Sequence, residues 1–374
     1  MDQAGLSPHE SEEAQVTLQE LLQTLVNKRG SDLHVRSGGP AYIRVDGELS
    51  QVSADAIAAA DVEQMLIQVA SERAKKLYQE RGECDFSFQA GEVARFRVNA
   101  YRQRAKLCLA MRYISTVIPT LQDLRLPAAT LKKIADNSRG LVLVTGITGA
   151  GKSSTLAAMM DYINENRAEH ILTIEDPIEF VHKDKKGVVT QREIGEDTVA
   201  YAEGLKMAMR QDPDVILIGE MRDAETTSAA ITAALTGHLV FATLHTIDAI
   251  QTIARVVDLY PPHQQTLVRV QLAECLKAIV SQRLLAGSKG GRVPAVEILI
   301  NTPHVRKQIE ESKSQEILAA LTKGQFYGMQ TFNQSLVKLF KDGLASETEV
   351  LSAATSPDDL KLALRGIEQE IKPA

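Results

Sequence analysis

Residues Gly146-Ile147-Thr148-Gly149-Ala150-Gly151-Lys152-Ser153-Ser154 decide the fold. They follow a continuous apolar run, Leu141–Val144, and open a segment of helical periodicity, Lys152–Asn166. A glycine-rich loop between a buried strand and a helix is the context of a P-loop. Its glycines let backbone N–H groups turn inward on phosphates. Lys152 reaches the β/γ-phosphates, and the Ser153 hydroxyl is offered to Mg2+. At ordinary glycine usage a chance match in a chain of this length is about one in a hundred.

Downstream, Ile171–Ile174, Val215–Ile218 and Leu239–Phe241 are further apolar runs without alternation. Thr198–Arg210 and Ala224–Leu235 lie among them with helical spacing. Unalternating strands interleaved with helices predict a parallel sheet covered on both faces. The run Asp214-Val-Ile-Leu-Ile-Gly-Glu220 ends such a strand on a carboxylate. After a P-loop this carboxylate can activate a water, or support Mg2+ through a water; by itself it is as readily a helix cap. Ile171–Glu179 sets Glu175, Asp176 and Glu179 at the end of another strand. Ligands bind at the carboxyl ends of such strands, although Asp176-Pro177 also reads as a plain turn. His238 and His245 bracket the strand that begins at Leu239, seven residues apart. An odd spacing sends two strand residues to opposite faces, so they do not share a metal. Each fits a γ-phosphate contact, a relay of strand movement or a satisfied core histidine.

Upstream lies a small α+β unit. Residues 1–14 read as a disordered leader without an apolar signal segment. A helix from Ala14 to Arg29 puts Val16, Leu18, Leu21, Leu22 and Leu25 on one stripe, with Gly30 as its C-cap. Strands follow at Asp32–Arg36, Ala41–Val45, Asp85–Phe88 and Ala94–Tyr101, with two helices inside Ala54–Glu80. Alternation puts Arg95, Arg97 and Asn99 on one face, with Arg104 and Arg112 further on. This stripe fits a solvated face, arginine fingers supplied across a subunit boundary, or a nucleic-acid contact. Pro119 and Pro127 bound a linker. Gly287–Gly291 reads as a hairpin or loop, and amphipathic helices fill the chain from Pro303. The expected division is 15–118, a linker at 119–126, a core at 127–300 and a helical region with tail at 301–374.

Composition narrows the function. The chain has 374 residues, with 42 Lys+Arg against 48 Asp+Glu and a formal net charge of −6. That argues against gripping a nucleic-acid backbone. Aromatics are 4% and Trp is absent, so stacking platforms for single strands are not expected. Cys84, Cys108 and Cys275 lie far apart without a CxxC pair, which excludes a thiolate zinc site. The longest uncharged stretch, Thr226–Leu244, reads as a buried helix and strand rather than a membrane span.

Six motifs then occur in order: GSDLHVR (Gly30–Arg36), RFRVNAY (Arg95–Tyr101), GITGAGKSS (Gly146–Ser154), ILTIEDPIEF (Ile171–Phe180), RQDPDVILIGEMRD (Arg210–Asp223) and TGHLVFATLHT (Thr236–Thr246). With them the chain resembles the type IV pilus retraction ATPases of the secretion ATPase superfamily, over roughly residues 16–345. The resemblance implies an α/β fold: a PAS-like N-terminal domain, a RecA-like P-loop ATPase domain and a helical C-terminal region. It implies ATP and Mg2+, a homohexameric ring, and ATP between the two domains. Lys152 and Ser153 become the P-loop pair, within the cradle Thr148, Gly149, Ala150, Gly151 and Ser154. Glu220 becomes the Walker B glutamate and general base, and with Ser153 a metal residue. Glu175 and Glu179 form the acidic box, and His238 and His245 the histidine box. Arg97, Arg104 and Arg112 become the arginines near the phosphates. The implied work is pilus retraction and twitching motility. The implied location is the cytoplasm, at the inner membrane beneath a pilus platform protein. Extension and type II secretion relatives carry a tetracysteine zinc insert, which three dispersed cysteines cannot form. The retraction helix motif AIRNLI reads here as His304-Val-Arg306-Lys-Gln-Ile309, where Arg306 and Ile309 match. An accessory paralogue that assists a separate retraction motor therefore stays open beside a self-sufficient motor. A nucleic-acid translocase is the third reading, disfavoured by charge.

Overall fold

The computed structural model describes residues 16–45, 47–91, 94–114 and 117–366. The expected leader and the end of the tail lie outside the described residues. The chain forms two compact units, Met1–Thr116 and Val117–Ala374.

In the first unit, α1 (Leu18–Asn27) begins at a capping box of Thr17 and Glu20. Its stripe Leu18, Leu21, Leu22 and Leu25 is buried. The elements that follow are β1 (Asp32–Arg36), β2 (Tyr42–Val45), β3 (Glu48–Gln51), α2 (Ala59–Val69), α3 (Glu72–Arg81), β4 (Glu83–Ala90), β5 (Ala94–Gln103) and β6 (Lys106–Ile114). The strands pair antiparallel in the order β3-β2-β1-β6-β5-β4. Alternation explains the layering. Leu33, Val35, Phe96, Val98, Leu109 and Met111 point into one core with the helical stripes, and their neighbours Asp32, Arg36, Arg97 and Arg112 stay on the polar face. Gly30 is not the helix cap. The cap is Lys28, and Arg29 takes the left-handed conformation at φ 52. Gly30 is needed for space instead, since a Cβ there would come 3.0 Å from the Arg44 carbonyl oxygen. Strands β3 and β6 were not expected from the sequence. All four residues of β3 are exposed, so it lacks the apolar alternation that marks a strand.

The second unit runs α4 (Ala128–Ala135), β7 (Gly140–Thr145), α5 (Lys152–Asn166), β8 (His170–Glu175), β9 (Val188–Glu193), α6 (Tyr201–Ala208), β10 (Val215–Ile218), α7 (Ala224–Leu235), β11 (Leu239–Leu244), α8 (Ala249–Asp258), α9 (Pro262–Cys275), β12 (Leu276–Ala286) and β13 (Arg292–Ile300). Helices α10 (Pro303–Glu310), α11 (Ser314–Lys323), α12 (Phe332–Lys341), α13 (Glu347–Ala353) and α14 (Pro357–Leu364) complete it. Its sheet has the order β13-β12-β7-β11-β10-β8-β9. Neighbours are parallel except β12 and β13, which form the hairpin expected around Gly287–Gly291. Two cores flank the sheet. Leu141, Leu143, Ile216, Ile218 and Val240 pack on one side with α6 to α11. Val142, Val144, Leu217 and Phe241 pack on the other with α4 and α5. A central strand buried on both faces reads as an unbroken apolar run. Each fully buried Leu or Phe here contributes about 2–3 kcal/mol. Within residues 119–126, Leu121 and Leu126 are buried in the core beneath α4 and α5, whereas Thr120, Gln122, Asp123 and Arg125 are exposed. The edge strand β9 escaped the sequence reading because its mixed side chains, VVTQRE, form neither an apolar run nor an apolar alternation.

Candidate functional site

The phosphate loop follows β7 directly. Gly146 has φ 145, and a Cβ there would lie 2.5 Å from the Gln282 carbonyl oxygen. No other residue fits that combination of dihedral and space. Gly151 caps α5 at φ 90. Lys152 is 9% exposed, and its Nζ donates to the carbonyls of Gly146 (2.8 Å) and Ile147 (3.1 Å). Burial lowers the pKa of its ammonium, against the charges of Glu220 and Glu179. Ser153 and Ser154 are half-buried in the first turn of α5, with Thr148 and Gly149 exposed on the loop and Ala150 buried. The loop is backed by polar pairs: Thr145 Oγ1 donates to Ser281 Oγ at 2.8 Å, and Gln282 Nε2 donates to Thr155 Oγ1 at 2.8 Å.

Parallel pairing sets the remaining groups along the same edge. In the order β7, β11, β10, β8 the strand ends deliver the phosphate loop, His245, Glu220 and Glu175. One strand separates β7 from β10, about 10 Å. Glu220 is half-buried. Its Oε1 lies 3.2 Å from His245 Nε2 and its Oε2 lies 2.7 Å from Arg222 Nη2. Thr243 Oγ1 donates to the Gly219 carbonyl, and Met221 N–H donates to the Thr243 carbonyl, so β11 holds the chain on both sides of Glu220. Burial pushes the Glu175 carboxyl up to about 7, although it accepts from Thr173 Oγ1 (2.7 Å) and Gln191 Nε2 (3.1 Å). Glu179 is exposed beside it.

His238 is not brought to this edge. It precedes β11 at the opposite end, where its carbonyl accepts from Gly140 N–H and its Nδ1 lies 3.0 Å from the Ala233 carbonyl at the end of α7. It is a helix-end ligand of its own backbone, about 20 Å of strand from His245. In the first unit Arg97 and Arg112 are directly opposed across β5 and β6. Arg112 Nε pairs with Asp32 Oδ1 at 2.9 Å. Arg104 is not with them, because it forms the exposed tip of the β5–β6 hairpin at φ 50. Three site residues escaped the sequence reading. Arg222 was inside the quoted GEMRD run, Gln191 sits on the unread β9, and the Tyr201 hydroxyl packs against Gly219. Burial raises the Tyr201 pKa, and so do Asp176, Glu220 and Glu175, so it stays an O–H donor there.

Among the described residues no helix is long and apolar enough to cross a membrane. The family model described as type II/IV secretion system protein matches residues 9–352. The type IV pilus retraction ATPase PilT of Pseudomonas aeruginosa is 45% identical over 340 residues, which are 91% of this chain and 98% of that protein. The type IV pilus ATPase PilU of the same organism is 39% identical over 348 residues, 93% of this chain and 91% of that protein. The crystal structure of the pilus retraction motor PilT with bound ADP superposes with a TM-score of 0.87 at 42% identity, covering 92% of this chain and 99% of that one. The chain belongs to the type II/IV secretion system protein family, among its type IV pilus retraction ATPases.

Proposed function

We propose that this chain hydrolyses ATP to ADP and phosphate and, as a homohexamer, converts the cycle into type IV pilus retraction and twitching motility. The observation that carries the reading is the placement of Lys152, His245 and Glu220 along one strand-end edge. Lys152 exchanges its loop carbonyls for the β/γ-phosphates, whose negative charge offsets the burial of its ammonium. The loop N–H groups and the α5 N-terminus take the remaining phosphate oxygens. Glu220 accepts the proton of the attacking water. Its two oxygens already hold His245 and Arg222, yet a carboxylate has about four acceptor positions. Arg222 is largely exposed, so that pair is weak and leaves the base available. His245 stands between the loop and Glu220, placed to sense the γ-phosphate. Glu175 and Glu179 add acidic groups on the far side of Glu220. The Ser153 hydroxyl and the Glu220 carboxylate are oxygen donors of the kind Mg2+ takes. Held there, Mg2+ would supply neutralisation of phosphate charge. Arg97 and Arg112 act on the nucleotide of another subunit.

Mechanical work requires that ATP and ADP favour different conformations. The load in this reading is a pilus platform protein of the inner membrane, against which the chain docks from the cytoplasm. A second reading has a specific motive. In the His304–Ile309 segment, Arg306 is held by Glu310 at 3.3 Å and Lys307 by Glu311 at 3.8 Å on α10 and its cap. These exposed pairs are weak; it is the departure of this segment from the retraction helix motif, in which Arg306 and Ile309 match, that fits an accessory subunit working beside a separate retraction ATPase. ATP turnover measured against protein concentration, with mass by light scattering and Glu220→Gln as the blank, separates the two. Turnover that rises as a hexamer forms supports the motor. A hexamer that binds ATP and scarcely hydrolyses it supports the accessory subunit.

A further inference from the structure

Glu297 lies on β13, outside every motif read from the sequence, and is 6% exposed. Its Oε1 accepts from the Ala249 N–H at 2.9 Å, the first residue of α8. On the neighbouring residue of the same strand, the Val296 N–H donates to Ser335 Oγ of α12 at 3.0 Å. Two successive residues of β13 thus hold α12 and the start of α8. Burying a charge is costly unless it is paired and hydrogen-bonded, so an apolar residue would serve packing alone more simply.

The connections on either side of Glu297 are specific. Between β11 and α8 the chain runs His245-Thr246-Ile247-Asp248. Thr246 Oγ1 lies 2.7 Å from Thr252 Oγ1, and Asp248 Oδ1 accepts from Gln251 N–H at 2.7 Å. This loop therefore moves with the start of α8. At its other end His245 meets Glu220. On the opposite side, the Arg283 guanidinium stands 3.9 Å over the Phe332 ring. It donates to the Ala353 carbonyl at 2.6 Å and to Thr355 Oγ1 at 2.9 Å. The charged groups that face Glu297 are Asp248, from the loop before α8, and Arg283, from β12.

We propose that Glu297 is a positioning residue for ATP hydrolysis: it ties the His245 loop to β13, on which α12 is seated, so that displacement of α12 is passed to His245 and Glu220. The proposal rests on Glu220 being the catalytic base. It makes α12, through β13 and this carboxylate, a lever on the nucleotide site rather than a passive cover.

Burial pushes the Glu297 carboxyl up to about 7, Asp248 adds to the rise, and Arg283 opposes it. The ionised carboxylate binds the Ala249 N–H, whereas the neutral acid holds it weakly. The test is steady-state kcat and KM from pH 6 to 9 for the full-length wild type, E297Q, R283Q and E220Q, each checked for folding by circular dichroism. At pH 8, E297Q is expected to lose about tenfold in kcat with KM within about twofold. Glu175 titrates in every variant, so the ratio of wild type to E297Q isolates Glu297; that ratio should grow with pH through about 7. R283Q removes the favourable charge and should move the rise to higher pH. A ratio constant with pH, or an R283Q midpoint equal to wild type, overturns the proposal. If E297Q does not fold, the R283Q midpoint decides it. Turnover retained by E220Q overturns the reading of Glu220 as the base, and the proposal with it.

Discussion

His245 Nε2 stands 3.2 Å from Glu220 Oε1, a contact between the ends of adjacent parallel strands β11 and β10. Residues that act on one water as a unit give non-additive losses. His245→Gln is therefore expected to lower kcat by about tenfold or more, and Glu220→Gln by about a hundredfold or more. The double variant should be no slower than Glu220→Gln. Independent, multiplied losses in that cycle would show that the contact has no part in turnover.

Lys152 is held by two carbonyls of its own loop, so its removal should spare the fold and abolish the ligand. A charge-assisted contact of this type is worth about 1.5–3 kcal/mol, or about ten- to a hundredfold in affinity. Lys152→Ala should lose at least that much in binding a fluorescent ATP analogue. Its melting temperature should stay within a few degrees of wild type. Unchanged affinity would remove Lys152 from the phosphate site.

Gly146 and Gly149 separate two effects in one loop. Both have positive φ, 145 and 79, but a Cβ on Gly146 would strike the Gln282 carbonyl while one on Gly149 meets nothing within 4 Å. Gly149→Ala should cost about 1 kcal/mol of backbone strain. Gly146→Ala should cost about 2–4 kcal/mol, since β12 must also move. Urea denaturation of both variants gives the comparison. Equal losses would mean that β12 yields freely.

Glu175 predicts a pH dependence of stability. Its carboxyl sits at about 7 in the folded chain against 4.5 as its ordinary value. A group whose folded value is raised contributes stability that is fully present below about 4.5 and is lost as pH rises through about 7. Glu297 acts in the same direction. Wild-type stability should fall between pH 5 and 8, and Glu175→Gln should remove up to about 3 kcal/mol of that fall. A parallel pH profile for the variant would contradict the burial of this carboxyl.

The sheet of the second unit was legible because its central strands lie between two apolar layers. Val215–Ile218, Lys152–Asn166 and Ala224–Leu235 appear with the bounds the periodicity suggests. Edge strands such as β3 and β9 carry no such mark, and burial of Leu121 and Leu126 is a tertiary fact that the flanking prolines disguise. The site divides in the same way. Lys152, Glu220 and His245 stand where strand ends must put them. His238 shares the motif but occupies the wrong end of β11. Arg222, Gln191, Tyr201 and Glu297 reach their partners through side-chain geometry, which local sequence does not encode.

Arg97 and Arg112 face each other across β5 and β6, with Arg112 paired to Asp32 at 2.9 Å and Arg97 to Asp85 at 3.9 Å. Like charges directly opposed on a sheet repel. These exposed ion pairs offset that repulsion only weakly. Replacing either arginine by alanine should therefore change stability by less than about 0.5 kcal/mol, leaving any loss of turnover to function. If the two act as one cationic pair on a nucleotide, the Arg97→Ala/Arg112→Ala double variant should be little slower than either single variant. Arg104, at the hairpin tip, is about 20 Å along the strand from Arg97, beyond the range in which substitutions couple. Arg97→Ala and Arg104→Ala should combine additively in log kcat of the assembled protein. Additivity between Arg97 and Arg112 would separate them into independent surface charges. Coupling of Arg104 to Arg97 would instead show that the assembled protein brings the hairpin tip to the same ligand.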